Sequence, residues 1–281
     1  MIYEKFNGNS VSVCIENIDK KDPYTKIGAK AFLSCKDVYE IKLPDTIFEI
    51  GDWAFAHMKE LKRIVVPSNK ISIGKDVFLD CDSLKEIMVY PDNTGNQGLP
   101  YLLASCITIL KSYELLDFKM AAEQNETWCK LYDSKLIDYI CQDDDRNFQP
   151  VIVGWFNDEG EEEQLERYIK KVKADKINLC FLRLKHDAYI EDNTKDTLLL
   201  FLRKQIDNPD DDNFSWNTIR EVVSCDIQYA RLAAGNNLFN EELILDLIKY
   251  VNNNNTNTEI AAYLVSELNG KHESIDQEFD L

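Results

Sequence analysis

The stretch IGAKAFLSCKDVYEIKLP, residues 27–44, recurs twice more along the chain at a spacing of 23 residues. The second copy is IGDWAFAHMKELKRIVVP at residues 50–67. The third is IGKDVFLDCDSLKEIMVYP at residues 73–91, where the proline comes one position late. This self-similarity is typical of a solenoid, in which each copy forms one coil and neighbouring copies supply each other's core.

Each copy contains a short strand followed by a turn. Ile41 and Leu43 alternate with charged residues, so their apolar side chains point to one face of the strand and the charged ones to the other. Pro44 ends the strand because proline has no N–H to donate to the sheet. The repeated glycine is expected to permit a tight backbone turn.

The repeated phenylalanine predicts one buried ring per coil. Phe55 is the middle ring between Phe32 and Phe78, so we expect it to have the most neighbours and its loss to cost the most stability. Cys35 and Cys81 occupy the same register two coils apart, about 10 Å if the strands stack at roughly 4.8 Å. That distance is too long for a disulfide, so both thiols are expected to be free.

The pattern Ile-Gly-x-x-Ala-Phe-x-x-Cys-x-x-Leu-x-x-Ile-x-Leu-Pro resembles the BspA-like leucine-rich repeat family over residues 27–91. A degenerate copy lies upstream, around Val11 to Ile18. The resemblance implies a parallel β-solenoid whose Leu-x-x-Ile-x-Leu-Pro strands line a concave face. It also implies a binding protein, and members of this family are often displayed at cell surfaces.

From about residue 100 the apolar spacing changes from every second residue to every third and fourth, which predicts helices. We therefore predict an α+β chain with a short leucine-rich-repeat solenoid at residues 1–97 and an acidic all-α domain of helical hairpins at residues 98–281. The turn-rich residues 91–98 mark the boundary. The first part has a net charge of −2 and the second of −16, from a total of −18.

Apolar stripes predict the helices of the second part. They lie at Leu136–Cys141, Leu165–Val172, Leu243–Val251 and Ile260–Leu268, with central buried helices at Ile177–Leu184 and Leu198–Leu202. The predicted N-caps are Asn240 and either Thr256 or Thr258. The segments Tyr229–Asn236 and Asn257–Leu264 faintly resemble the two helices of an ankyrin repeat. The helical domain is also a candidate cap for the open end of the solenoid.

The sequence contains few signals for chemistry. It lacks the glycine motifs of nucleotide-binding proteins and the serine elbow of hydrolases, and none of its eight cysteines has zinc-ligand spacing. Most cysteines lie in apolar runs and are expected to be buried and reduced. We expect His57 to be a surface turn residue, His186 to be a cation at a helix end, and His272 to lie in the tail. No cofactor and no metal are predicted.

The charged clusters have ordinary explanations as well. Solvated loops and helix N-termini account for the acidic clusters Asp143–Asp145, Glu161–Glu163 and Asp210–Asp212. The strongly negative net charge argues against nucleic acid as a partner. The longest mostly apolar run, residues 99–110, is too short to cross a membrane, and no secretory signal is visible. We therefore expect a cytoplasmic protein without membrane insertion, or a surface protein if a native signal peptide exists.

The remaining candidate site is the outward side of the predicted strands, which we call the strand face. Its residues are Glu40, Lys42, Arg63, Val65, Glu86 and Met88. An ordinary solvated surface with cross-strand charge pairs and a ligand-binding face are both open interpretations. The apolar Val65 and Met88, placed where water is expected, favour binding.

We hypothesise a non-catalytic protein–protein interaction module with a protein partner. The alternatives are a hydrolase-type enzyme with a carboxylate site in the helical domain and an adhesin lacking its signal peptide.

Overall fold

The computed structural model describes residues 1–8, 10–16, 21–91, 98–123, 125–150, 160–207, 213–254 and 257–279, with side chains beyond residue 269 left aside. The predictions for residues 92–97, Asp210–Asp212, Thr256 and the side chain of His272 lie outside these residues. The chain divides into two compact units. One is Met1–Leu136 with Ala188–Ile190, and the other is Ile137–Asp187 with Glu191–Leu281.

The first unit contains a parallel solenoid of four coils in its described residues. Each coil contributes one strand to each of two four-stranded parallel sheets. The first sheet consists of β1 (Ile2–Tyr3), β3 (Lys26–Ile27), β5 (Glu49–Ile50) and β7 (Ser72–Ile73). The second consists of β2 (Ser12–Cys14), β4 (Glu40–Lys42), β6 (Arg63–Pro67) and β8 (Glu86–Tyr90). The pairing follows the 23-residue spacing, because Glu40 lies beside Arg63 and Arg63 beside Glu86. The predicted α+β class and solenoid are confirmed.

The first coil starts earlier than the sequence indicated. The degenerate copy around Val11 does contain β2, but the coil begins at β1 near the N-terminus. Its repeat is hard to see because 28 residues, rather than 23, separate Ser12 from its partner Glu40. Tyr3 and Phe6 take the place of the repeated phenylalanine.

The repeated rings form a continuous stack in the core. Phe55 lies 5.5 Å from Phe32 and 5.4 Å from Phe78 between ring centroids. Phe32 also contacts Tyr3 at 5.4 Å and Phe6 at 5.2 Å. The expectation that Phe55 has the most ring neighbours is therefore wrong, because the first coil supplies two more rings to Phe32.

The repeated glycines allow the coils to stack closely. A Cβ atom at Gly51 would lie 2.7 Å from the backbone nitrogen of Ala29, and one at Gly74 would lie 2.6 Å from that of Asp52. A tight turn does begin at the glycine, since the Ala54 N–H donates to the carbonyl oxygen of Gly51 at 3.2 Å, but the left-handed backbone lies at other residues of the coil. Residues with positive φ recur at two positions of the repeat. The first position is occupied by Lys30, Trp53 and Asp76, and the second by Ser34, His57 and Asp80.

All eight cysteines are free thiols, as predicted for Cys35 and Cys81. Most of them were expected to be buried, but only four of the eight are. The buried ones are Cys81, Cys106, Cys129 and Cys180, whereas Cys14, Cys141 and Cys225 are exposed and Cys35 is half-buried. In the core, the Cys81 thiol donates a hydrogen bond to the carbonyl oxygen of Phe55 at 3.0 Å.

Helices follow the last coil within the first unit. The first of them, α1 (Leu99–Thr108), packs against β8. After a 3-10 turn at Tyr113–Leu115 come α2 (Phe118–Ala122) and α3 (Glu126–Ile140). The change from strands to helices falls near the predicted position, while the compact unit runs on to Leu136. A domain boundary at residue 97 stays a prediction.

The second unit contains helical hairpins, as predicted. Its helices are α4 (Glu161–Lys185), α5 (Asp192–Asp207), α6 (Phe214–Cys225), α7 (Ile227–Gly235), α8 (Glu241–Asn254) and α9 (Thr258–Phe279). The consecutive pairs α4–α5, α6–α7 and α8–α9 pack against each other, and α4 also packs against α6 and α7. Two segments predicted as separate helices are joined in α4, because no Gly or Pro interrupts residues 161–185.

Several local predictions can be compared with these helices. The acidic first turn of α4 and the N-cap of α8 are confirmed, since Asn240 Oδ1 accepts from the Leu243 N–H at 2.9 Å. The cap of α9 is Asn257, which accepts from the Glu259 N–H at 3.0 Å, rather than a threonine.

Cys141 lies exposed after the end of α3 rather than in its buried stripe. The ankyrin resemblance is not supported, because α8 intervenes between α7 and α9.

Candidate functional site

The second sheet presents the six predicted strand-face residues outward. They form two rows across the strands, one of Glu40, Arg63 and Glu86 and one of Lys42, Val65 and Met88. All six are half-buried or exposed, whereas the intervening Ile41, Ile64 and Ile87 are fully buried. The predicted alternation is therefore present, and the binding role of these residues stays a prediction.

The charged row is held by a hydrogen-bonded ion pair. Arg63 Nε donates to Glu86 Oε2 at 2.6 Å, and the hydroxyl of Tyr101 donates to Glu86 Oε1 at 3.1 Å. The hydrogen bond from Arg63 holds the pKa of Glu86 below its usual value, and the same bond raises the pKa of Arg63. Both groups are therefore ionised at neutral pH. The interpretation as a cross-strand charge pair is correct for this row.

The second row has a different character, because it combines apolar side chains with one ammonium group. Val65 is half-buried, and the side chain of Met88 beside it is 39% exposed. The Lys42 ammonium lies 5.6 Å from the ring centroid of Tyr90. The hydroxyl of Tyr90 donates to the carbonyl oxygen of Leu43 at 2.6 Å, which fixes that ring at the end of the row.

Three further residues border the strand face, and the sequence reasoning missed them. Cys14 extends the apolar row on β2, where the longer spacing of the first coil hides its register. Tyr39, 43% exposed, precedes β4, and the Lys62 ammonium lies over its ring, 4.7 Å from the centroid. Tyr101, 45% exposed, comes from α1 and has no counterpart in the repeat. An aromatic residue just before a strand could have indicated Tyr39.

The described histidines differ in environment. His57 is a surface turn residue as predicted, with a left-handed φ of 59° and its Nδ1 2.9 Å from Asp80 Oδ2. His186 follows the last turn of α4 and was expected to be a cation. That expectation is wrong, because burial, together with the neighbouring Lys185 and Arg183, lowers the pKa of His186 to about 4. It is neutral at pH 7.

The helical unit contains a buried cation that the sequence did not reveal. Lys176 on α4 is 2% exposed, and its Nζ donates to Asp144 Oδ1 at 2.7 Å and to the carbonyl oxygen of Gln142. One residue of the acidic cluster at 143–145 thus has a structural partner. Within the described ranges, no three His, Cys, Asp or Glu side chains lie close enough together to hold a metal ion.

Two open clefts occur in the helical unit. One of about 480 Å³ is lined by aromatic, amide and cationic side chains, among them Phe148, Arg167 and Lys171. The other, of about 620 Å³, contains Asp138 and Asp143 near Arg146. A general acid at neutral pH needs a carboxyl group with a raised pKa.

The acidic side chains with resolved pKa shifts lie outside both clefts. The pKa values of Glu86 and Glu114 are lowered, mainly by hydrogen bonds from Arg63 and Lys135. At Asp226 burial opposes the shift, and the hydrogen bond from Lys185 helps to lower the pKa. In the described residues these shifts favour ionised carboxylates rather than a protonated general acid.

Stacked 23-residue coils with parallel strands and a row of buried rings define a leucine-rich-repeat solenoid. The comparison with protein families agrees: residues 7–111 match the BspA type leucine rich repeat region in six copies. This part of the chain is therefore a BspA-type leucine-rich-repeat region, wider than the predicted residues 27–91. No curated protein and no solved structure matches the chain. In the described residues, no helix combines the length and apolar character needed to cross a membrane.

Proposed function

We propose that this chain is a non-catalytic interaction module that binds a protein partner through the strand face. The observation that carries the proposal is the pair Val65 and Met88. The two apolar side chains lie side by side on neighbouring strands, with Met88 exposed and Val65 half-buried, and the Arg63–Glu86 ion pair borders them. Repeat solenoids commonly use such surfaces for protein binding.

The chemistry of the strand face fits the centre of a protein interface. Tyr, Met and Arg are enriched in interface cores. Met88 belongs to the pair, and Arg63 and Tyr90 border it. The guanidinium of Arg63 is already hydrogen-bonded to Glu86 and the ring of Tyr90 is anchored to the backbone, so little side-chain entropy is lost on binding. Lys42 offers one charge that a partner carboxylate can meet.

The non-catalytic part of the proposal rests on the acidic groups. The carboxylates with resolved pKa shifts are lowered by cationic partners, which suits salt bridges and not proton donation. A hydrolase that uses a carboxyl group as general acid at neutral pH would need a raised pKa at that group.

The test compares capture of proteins from a lysate of the source cells by three forms of the chain, with bound proteins quantified by mass spectrometry. The first is the wild type and the second is Val65→Glu/Met88→Lys, which places opposite charges side by side on neighbouring strands. We avoid Arg63→Glu, because a glutamate there would lie between Glu40 and Glu86 and destabilise the sheet. A glutamate at position 65 lies beside Lys42 and should be tolerated.

The matched control is Leu200→Glu/Leu245→Lys, which introduces the same two charges at exposed apolar residues of the helical unit. We expect one protein or a few to bind the wild type and the control and to be lost from the strand-face variant. With the purified partner, the loss should be about 2 kcal/mol, or roughly 30-fold in Kd. Equal capture by the strand-face variant, with loss from the control, would move the binding site to the helical unit.

A further inference from the structure

Lysine side chains lie around the strand face. Tyr39, Lys62 and Lys85 form a further row just before the strands, which we call the basic border. The N–H of Lys62 donates to the carbonyl oxygen of Tyr39, and that of Lys85 to the carbonyl oxygen of Lys62, both at 2.9 Å. The Lys62 ammonium lies over the Tyr39 ring, and Lys85 is exposed. Within the strand face itself, the ring of Tyr90 holds the Lys42 ammonium in the same way.

The cations of this surface have hydrogen-bonding capacity that the described residues do not use. None of Lys42, Lys62 and Lys85 forms an ion pair with a described residue. Arg63 donates from Nε to Glu86, while its two Nη atoms donate to no described residue. A guanidinium presents a planar fork of N–H groups to a carboxylate. Carboxylates are therefore the groups that this surface is equipped to bind.

The local charge has the opposite sign to that of the whole chain. The strand face and the basic border together contain four basic and two acidic side chains, a net charge of +2, whereas the chain has a net charge of −18. The basic ones are Lys42, Lys62, Arg63 and Lys85, and the acidic ones are Glu40 and Glu86, all within the described residues. A positive area on a negative protein attracts an acidic partner to that area.

On the basis of the proposed function, we propose that the strand face binds an acidic segment of the partner protein in which carboxylates flank an apolar side chain. The apolar side chain covers Val65 and Met88. One carboxylate pairs with the fork of Arg63, and further carboxylates pair with the three lysines. If the strand face binds no protein, this assignment fails with the proposed function.

Nucleic acid is the other acidic macromolecule that such a surface could attract. It offers no flexible aliphatic side chain to cover the Val65–Met88 pair. The net charge of −18 also repels a long phosphate backbone, which extends beyond a small positive area. A short acidic peptide segment avoids this repulsion, because it can be confined to the strand face and the basic border.

The first test selects random linear peptides displayed on phage against the immobilised full chain. We expect enriched peptides to be rich in Asp and Glu and to contain an aliphatic or aromatic residue among them. The same peptides should not be retained by Val65→Glu/Met88→Lys, which removes the apolar pair without changing the net charge. A single-stranded DNA oligonucleotide is assayed alongside them.

The second test uses the most enriched peptide, synthesised with a fluorescent label, and measures its Kd by fluorescence anisotropy. Neutralising the lysines in Lys42→Gln/Lys62→Gln/Lys85→Gln should raise the Kd about tenfold, since each exposed ion pair contributes little alone. Raising NaCl from about 50 to about 300 mM should weaken binding to the wild type more than to this variant.

The matched control is Lys171→Gln/Lys195→Gln/Lys249→Gln, which makes the same change of charge at three exposed lysines of the helical unit. It should bind the peptide like the wild type.

The outcomes separate the two proposals. Enrichment of neutral or basic peptides that still require Val65 and Met88, or an unchanged Kd in the lysine variant, would overturn the acidic partner and leave the proposed function standing. Selection of no peptide that depends on the Val65–Met88 pair would overturn both. Binding of the oligonucleotide that the lysine variant loses, without an acidic peptide, would make nucleic acid the ligand.

Discussion

The solenoid and the helical unit bury different kinds of side chain. In the described part of residues 1–91, the buried side chains are apolar and belong to repeated rows. In the helical unit the buried side chains include Lys176 and Arg183 of α4, each 2% exposed, and hydroxyl groups of α5 and α6. The solenoid therefore depends on apolar contacts between neighbouring coils, whereas the helical unit also depends on charge pairs and hydrogen bonds. This difference predicts which substitutions should destabilise each region.

The ring stack should show the largest effect. Phe55→Ala removes a fully buried ring between two others, and we expect it to lower the free energy of unfolding by about 3–5 kcal/mol. Phe32→Ala should cost at least as much, since Phe32 contacts three rings. Urea denaturation measures the loss, and hydrogen exchange followed by mass spectrometry locates it.

The location of the effect tests the comparison itself. Faster exchange should be confined to the coils and leave α4 and α8 unchanged, because neighbouring coils supply the core of the solenoid. Phe48→Ala, which removes a ring that is 55% exposed, is the control and should change the free energy of unfolding little. Wild-type stability in Phe55→Ala would mean that the stack does not hold the coils together.

The buried charge pair of the helical unit should respond unequally to loss of its two partners. Asp144→Ala leaves the buried ammonium of Lys176 without its carboxylate, and we expect a loss of about 3 kcal/mol. Lys176→Met should cost less, because Asp144 is 29% exposed and can be hydrated when its partner is gone. Urea denaturation of the two variants measures the difference. The reverse order would show that Asp144 contributes little to the burial of Lys176.

His186 should make the helical unit sensitive to acid. Its pKa is lowered to about 4 in the folded chain, by burial first and then by Lys185 and Arg183, while Asp187 and Asp226 oppose the shift. Well above pH 6.5, the ordinary pKa of histidine, the imidazole is neutral in both states. As the pH falls from there towards 4, the unfolded chain binds the proton and the folded chain does not, so stability is lost.

The lost stability should be roughly 1–2 kcal/mol, after allowance for the partial exposure of the imidazole. The measurement is the free energy of unfolding between about pH 7 and pH 4 for the wild type and for His186→Gln. The variant should lose less stability than the wild type over this interval. Parallel pH dependences would show that the imidazole is not held neutral.

The helix caps should give the smallest effects. Asn240→Ala and Asn257→Ala each remove a hydrogen bond that the asparagine side chain accepts from a backbone N–H in the first turn of a helix. We expect each change to lower the free energy of unfolding by about 1 kcal/mol. Thr258→Ala is the control at the start of α9. If Thr258→Ala costs as much as Asn257→Ala, the cap lies at the threonine that the sequence suggested.

Much of the solenoid could be predicted from the sequence, because its contacts recur at a fixed spacing. A 23-residue period states which residues neighbour each other, so the spacing alone places Glu40, Arg63 and Glu86 in one row. The alternation within each strand then separates the buried residues from the strand face. The apolar spacing likewise predicted helices in the second part, and the residue type of Asn240 predicted its cap.

Only the tertiary structure decided the features that depend on contacts without a period. Lys176 meets Asp144 from 32 positions away, and the neutral state of His186 depends on burial together with its charged neighbours. Nor could the sequence show that Tyr3 and Phe6 begin the ring stack, because the first coil is longer than the others. A repeat encodes its neighbours at a constant separation, whereas an irregular helical unit brings residues together only once its helices have packed.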